Sequence, residues 1–299
     1  MTKFPYDQFS KEYLQELLTP LGQVETSREV PGETRYVDVL FTPAPQPQAD
    51  PQMLGLLGQI TSHPCLLEPF RMAVRPSEVR SCLSKLFDVF AKLENQAQRN
   101  KTRISEVNLP FLWILSPTAS TTLLDGFNAR LDLENWQPGI YFLGDYLKTA
   151  IVAIHQLPRT EETLWLRLLG KGRVQEQAID ELEALPTNHP QRDTVLELLR
   201  SLRAILETSS DLEQEDRNLI MRLSAVYEQR LAEATQQGIQ QGVREERRAM
   251  IENFLKARFG SLDEQLAAII QPLLELSPEE FTSLLLQLSR EELLDRFRG

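Results

Sequence analysis

At 299 residues, with 41% hydrophobic residues, the chain is long enough for about two domains of ~150 residues and able to bury a core. Its formal charge is −11, divided as 14 basic against 17 acidic residues up to Leu157 and 18 against 26 beyond it. That balance excludes a broad non-specific nucleic-acid footprint and leaves room only for a local basic groove in the first part.

The opening "FSKEYLQELLTPLG" sets Phe9, Tyr13, Leu14, Leu17, Leu18 and Leu21 at helical spacing and predicts an amphipathic first helix ended by Gly22. "QVETSREV" and "TRYVDVLF" flank the turn signal Pro31-Gly32-Glu33 and predict a hairpin. After a Pro-rich loop, "MLGLLGQI" suits a short helix and "PCLLEPF" a strand. From Ser77 to about Lys101, Val79, Cys82, Leu83, Leu86, Phe87, Phe90 and Leu93 mark one face of a long helix, started by Pro76 and Ser77. "LPFLWILSP" is strand-like, "STTLLDGF" helical, and "GIYFLG" and "TAIVAIHQL" strand-like again. The order is that of an α/β domain over residues 1–157.

Beyond "HQLPRT" only helices are expected, near 160–169, 173–184, 190–207, 212–258, 262–275, 278–287 and 290–297. This suggests a helical region over 158–258 with a long connector, then a small helical domain over 259–299. Ser-x-x-Glu capping boxes at Ser261, Ser277 and Ser289 punctuate that domain. In the long helix, "QQGIQQG" puts Gly238 and Gly242 one turn apart, which reads as a flexible connector or, less favoured, as a close self-association contact. No stretch of eighteen apolar residues, signal-peptide pattern or lipidation box occurs. The two cysteines, Cys65 and Cys82, form no ligand pair. A soluble cytoplasmic protein without membrane contact is expected.

Two carboxylates stand out. By the period of two, Asp38 shares a strand face with Tyr36 and Leu40, and Glu68 shares one with Leu66 and Phe70. An unpaired buried carboxylate costs several kcal/mol or protonates, so two acids on consecutive strands, each inside an apolar frame, suggest a shared divalent ion, Mg²⁺ or Mn²⁺. Acids at strand ends or solvent-facing positions are the plainer alternative. His63, His155 and His189 lack ligand spacing, "LLGKGRV" lacks a P-loop frame, and "LSPTASTT" lacks a nucleophile elbow. Trp113, Trp136 and Trp165 read as core or interface residues, with no basic aromatic patch around them.

With these acids and this element order the chain resembles the PD-(D/E)XK nuclease superfamily. It is similar in particular to the cyanobacterial branch of its recombination-promoting nuclease and transposase-associated proteins, through phrases such as "LKTAIVAIHQLPRTEETLWLRLLGKGRVQEQAIDELEAL" and "PEEFTSLLLQLSREELLDRF". The resemblance implies a restriction-endonuclease-like α/β domain (a mixed sheet flanked by helices) before an all-α half, and metal-dependent DNA cleavage linked to recombination or mobile elements. It implies Asp38 and Glu68 as metal ligands, with Glu12 or Glu16 as an outer ligand. The family lysine two residues after the second acid is replaced by Phe70, which can neither orient water nor offset charge on a phosphate. Lys85 on the next helix, flanking its apolar stripe, or Arg71 would have to supply that cation; Lys85 as a snorkelling surface residue is the alternative. Two functions compete: a Mg²⁺-dependent nuclease, or a catalytically silent nuclease-fold protein that binds partners or self-associates through its acidic helical half.

Overall fold

In the computed structural model, which describes residues 5–30, 35–209 and 212–297, the first apolar stripe becomes helix α1, Pro5–Leu18, with Phe9, Tyr13, Leu14, Leu17 and Leu18 buried. Strands β1 (Gly22–Val30) and β2 (Arg35–Pro43) pair antiparallel. The turn expected at Pro31-Gly32-Glu33 lies outside the described residues. Then come α2 (Gly55–Ile60), β3 (Cys65–Pro69), α3 (Pro76–Arg99), β4 (Phe111–Ser116), α4 (Thr121–Gly126), β5 (Arg130–Leu131), β6 (Ile140–Phe142) and β7 (Thr149–Ala153).

The seven strands form one mixed sheet in the order β1-β2-β3-β4-β7-β6-β5. Its centre is parallel, β3 with β4 and β4 with β7. Strands buried on both faces read as unbroken apolar runs rather than as alternation, which is why "LWIL" and "AIVA" carry no polar residue. The parallel step from β3 to β4 requires a crossover, and α3 supplies it. Pro76 stands at the first turn of α3, and the start is closed by the Glu78 carboxylate accepting the Arg75 N–H at 2.7 Å, so the cap lies at Arg75 and not at Ser77. Val79, Cys82 and Leu86 of α3 bury against Leu40, Leu66, Leu112, Ile114 and Ile151 of the sheet. Strand β5, two exposed residues long, has no periodicity to announce it; only its pairing with β6 makes it a strand.

The helices α5 (Leu164–Arg167), α6 (Arg173–Ala184) and α7 (Arg192–Glu207) follow, then α8 (Gln214–Phe259). The compact units divide between Ser224 and Ala225, not after Leu157 as the loss of strands suggested. Hydrogen bonds explain why. Tyr13 Oη donates to the Trp165 carbonyl at 2.6 Å and Tyr6 Oη to that of Leu169, Trp165 Nε1 donates to the Met53 carbonyl at 3.0 Å, and α7 packs on α1. Burial also pushes the Tyr6 hydroxyl up to about 12, so it remains a donor. A fragment of residues 1–157 strips these phenols of their acceptors, and buried polar groups left unsatisfied cost about 1–3 kcal/mol each. It is expected to lack a cooperative thermal transition that a fragment of residues 1–224 retains; circular dichroism melts of the two decide.

The second unit has its own core. Ile251 and Leu255 of α8 bury against Leu266, Ile270, Leu273, Phe281, Leu285 and Leu293, from α9 (Glu264–Ala268), α10 (Ile270–Leu274), α11 (Pro278–Gln287) and α12 (Arg290–Arg296). The small C-terminal domain therefore includes the end of α8 and does not begin at residue 259. The boxes at Ser277–Glu280 and Ser289–Glu292 form as expected. The one at Ser261 does not: Asp263 caps α9 by accepting from Leu266 N at 2.9 Å. The single helix expected over 262–275 breaks at Ile269, because Pro272 has no N–H to give to the carbonyl of Ala268. Through Gly238 and Gly242 α8 runs unbroken, and a Cβ added at either meets no atom within 4 Å among the described residues, so neither glycine serves a close contact with them.

Candidate metal and catalytic site

The antiparallel register that pairs Val39 with Leu67 and Leu40 with Leu66 brings Asp38 and Glu68 to the next position on neighbouring strands. Leu40 and Leu66 face α3, so both acids sit at the end of the sheet face that this helix covers. Beside them, β1 is distorted: Ser27, opposite Asp38, takes φ of 53° and drops out of the β1–β2 ladder between the Thr26–Val39 and Arg28–Val37 pairs. A left-handed non-glycine residue inside a strand costs on the order of 1–3 kcal/mol, and such distortions re-aim side chains near functional positions.

Glu68 is 1% exposed. Its Oε2 receives Lys85 Nζ at 2.7 Å and lies 3.9 Å from Cys82 Sγ. Both donors come from α3, Lys85 three residues after Cys82 and so on the same side of the helix. Glu68 Oε1 is buried and has no hydrogen-bond partner among the described residues. Asp38, an acceptor like Glu68 when both are ionised, can bond to it only through a shared proton or a cation. Asp38 is bound instead by Lys11 Nζ at 3.3 Å, a lysine that also holds Asp7 at 2.9 Å on α1.

Burial, and after it the Asp38 charge, raise the Glu68 carboxyl from 4.5 to about 8 against the opposing pull of Lys85. Burial alone would lower Lys85, but the charge and hydrogen bond of Glu68 outweigh it and hold the ammonium above the ordinary lysine value. These two directions oppose each other, because Lys85 gains only from an ionised Glu68. The 2.7 Å contact is that of a charge-assisted pair. Lys85 is therefore a cation throughout, and Glu68 has heightened affinity for any further cation, proton or metal, that reaches its orphan oxygen.

A pH effect on stability follows with a definite sign. Between about 4.5 and about 8 the folded chain holds a proton on Glu68 that the unfolded chain has lost, so this group's contribution is complete below the unfolded value and is lost as pH rises through the folded one. In chelated buffer, the melting temperature of the wild type relative to Glu68→Gln is expected to fall from pH 5 to pH 8. A difference that rises over that window contradicts the assignment.

The structure brings Asp38, Glu68 and Lys85 together and leaves out the other candidates. Glu12 accepts a hydrogen bond from Gln8 of its own helix, and among the described residues no three or more His, Cys, Asp or Glu side chains group to hold a metal ion. The outer ligand expected on α1 is thus replaced there by Lys11. The helical phase of α1 explains the exchange, since adjacent residues point about 100° apart and cannot both face Asp38. Arg71 turns away to bond the Gly170 carbonyl at 3.2 Å, Gln175 Oε1 at 3.0 Å and Asp216, with its guanidinium 4.7 Å from the centre of the Tyr6 ring. It ties β3 to the helical layer. Phe70 packs against the α3 core cluster.

Lys11 was not singled out in the sequence. Its i,i+4 spacing from Asp7 is visible there, but its link to Asp38 joins two distant elements. Trp113 is buried, with the half-buried Trp136 and Phe142 beside it; the Trp136 ring centroid lies 5.2 Å from that of Trp113 and 5.4 Å from that of Phe142, tilted against both. No helix among the described residues is long and apolar enough to cross a membrane. No family model, curated protein or solved structure matches the chain.

Proposed function

We propose that this chain is a metal-dependent nuclease of the PD-(D/E)XK type, hydrolysing DNA phosphodiesters, and that its first half is a restriction-endonuclease-like domain. The observation that carries the reading is the Lys85 ammonium, 2.7 Å from Glu68 and delivered from α3, which replaces the cation lost to Phe70. Asp38 and Glu68 would hold Mg²⁺ or Mn²⁺. Two carboxylates with an unpartnered oxygen suit a hard ion that keeps several waters and takes its remaining ligands from substrate phosphate. Such an ion, when bound, supplies a Lewis acid for the phosphoryl oxygen and lowers the pKa of bound water.

The chain's own groups do the rest. Lys85, pinned by Glu68 and 15% exposed, presents a fixed positive charge where charge develops on the phosphate. Lys11 holds the Asp38 carboxylate in place through Asp7. The test is nicking of supercoiled plasmid with Mg²⁺ or Mn²⁺ by wild type, Asp38→Ala and Lys85→Ala prepared identically; cutting by wild type that both variants lose supports the proposal, and equal residual cutting by all three refutes it.

A second reading is favoured by one observation: each acid already has its own lysine, Asp38 with Lys11 and Glu68 with Lys85, so the cluster is held together without metal. In that reading the chain is a catalytically silent nuclease-fold protein that self-associates or binds partners through its helical half. The apolar residues Leu231, Ile239, Val243 and Met250 exposed on α8 are the surface available for it. It predicts no cutting and a mass above the monomer by sedimentation.

A further inference from the structure

A groove of about 650 Å³ lies between the C-terminal half of α3 and strands β1 and β2. Among the described residues three cations line it, Arg28 from β1 and Lys92 and Arg99 from α3, and no carboxylate does. Arg28 is shared with Glu25 at 3.0 Å, whereas Lys92 and Arg99 enter no ion pair among the described residues. In a chain of net charge −11 this is an exception to the surrounding field. The groove is also lined by Leu40, Val89 and Leu93, and it carries the side-chain amides of Asn95 and Asn108.

Cations beside an apolar surface, with amide donors and acceptors within reach, match a ligand that is phosphate at one end and flat and partly apolar at the other. The volume is that of a small-ligand site, for which ~300–1,000 Å³ is usual. We infer that this groove binds nucleotide phosphate, with Lys92 and Arg99 as the phosphate-holding cations and the Leu40–Val89–Leu93 surface under a base or sugar.

Two sources share that chemistry: a free nucleotide and a residue of a single strand. The position of the groove bears on the choice. Leu40 is two residues from Asp38 on β2, and Val89 is one helical turn from Lys85, so the groove begins beside the acids. Lys92 is seven residues beyond Lys85, about 10 Å along the helix at 1.5 Å per residue, and Arg99 stands about as far again. Cations at such intervals can meet successive phosphates of one strand. The inference goes beyond the nuclease reading, because neither Asp38 nor Glu68 lines the groove and its binding is measured without metal.

The test uses the full chain in EDTA, with fluorescence anisotropy of a 5′-fluorescein-labelled dT12 strand and competition by thymidine 5′-monophosphate. Wild type is compared with Lys92→Ala/Arg99→Ala and with a control double variant, Arg247→Ala/Lys256→Ala, which removes equal charge from the second unit. Binding is expected to weaken roughly tenfold in the groove variant alone. Its log–log salt dependence should become shallower by about 1.4, at ~0.7 per phosphate contact on a single strand. Competition at concentrations near those that saturate one site identifies a nucleotide pocket, and binding of dT12 with no competition identifies a strand track; both support the inference. Equal weakening in the control variant, an unchanged groove variant, or no binding of either probe overturns it. Because no metal is present, a chain that binds but never cuts sinks the nuclease proposal and leaves the groove standing.

Discussion

Lys85→Ala is expected to reduce plasmid nicking by about 10²–10³-fold, the usual consequence of losing one preorganised charge at a reacting oxygen, and to destabilise the fold by roughly 3 kcal/mol. The second figure is the lower end of the ~3–5 kcal/mol found when one partner of a buried ion pair is removed. The lower end applies because Glu68, raised to about 8 even with the lysine present, can take up a proton and escape the charge. The loss of stability should therefore shrink on acidification. A variant that fails to cut because it is unfolded would imitate a catalytic defect, so Glu68→Leu/Lys85→Met belongs beside it. Removing both charges together is often neutral or stabilising, so this pair should melt near or above the wild type and still cut nothing. Cutting by Lys85→Ala at wild-type rate under the same conditions would remove the lysine from the mechanism.

Asp38→Asn is expected to abolish cleavage with little loss of stability. Asp38 is one-fifth exposed, and its lysine keeps a second partner in Asp7, so the missing pair is worth no more than about 1 kcal/mol. The sharper readout is metal. An ion that binds only the folded chain stabilises it by about 2.7 kcal/mol at one hundred times its dissociation constant. Mn²⁺ should raise the melting temperature of the wild type and leave that of Asp38→Asn where it was. Should both chains respond equally to Mn²⁺, the ion binds elsewhere and Asp38 is only a partner for Lys11.

Much of the architecture was legible because it is written in local patterns. The apolar stripe of α1, the one-sided α3 and the apolar runs "LWIL" of β4 and "AIVA" of β7 each report their own burial. The boxes at Ser277 and Ser289 satisfy backbone groups within four residues and so need no distant partner. Where two local signals competed, the nearer to the helix won: Asp263 displaced Ser261 as the cap of α9. The two-residue β5 was illegible, since its only mark is a partner strand.

For the site, the sequence determined which residue types are available: two carboxylates inside apolar frames, a motif position occupied by Phe70, and a lysine flanking the α3 stripe. Strand periodicity was enough to choose the faces of Asp38 and Glu68. Only the tertiary structure decided that the β2–β3 register sets these acids side by side, that Lys85 reaches Glu68, that Lys11 and not Glu12 meets Asp38, and that Arg71 is spent on the helical layer. The same holds for the unit boundary, which moved from Leu157 to Ser224 because α1 needs the carbonyls of Trp165 and Leu169 as acceptors for its tyrosines. The reason is common to all of these. Periodicity reports which way a side chain points from its own element, whereas pairing, register and hydrogen bonds across more than a hundred residues depend on how separate elements close on one another, and no local pattern carries that information.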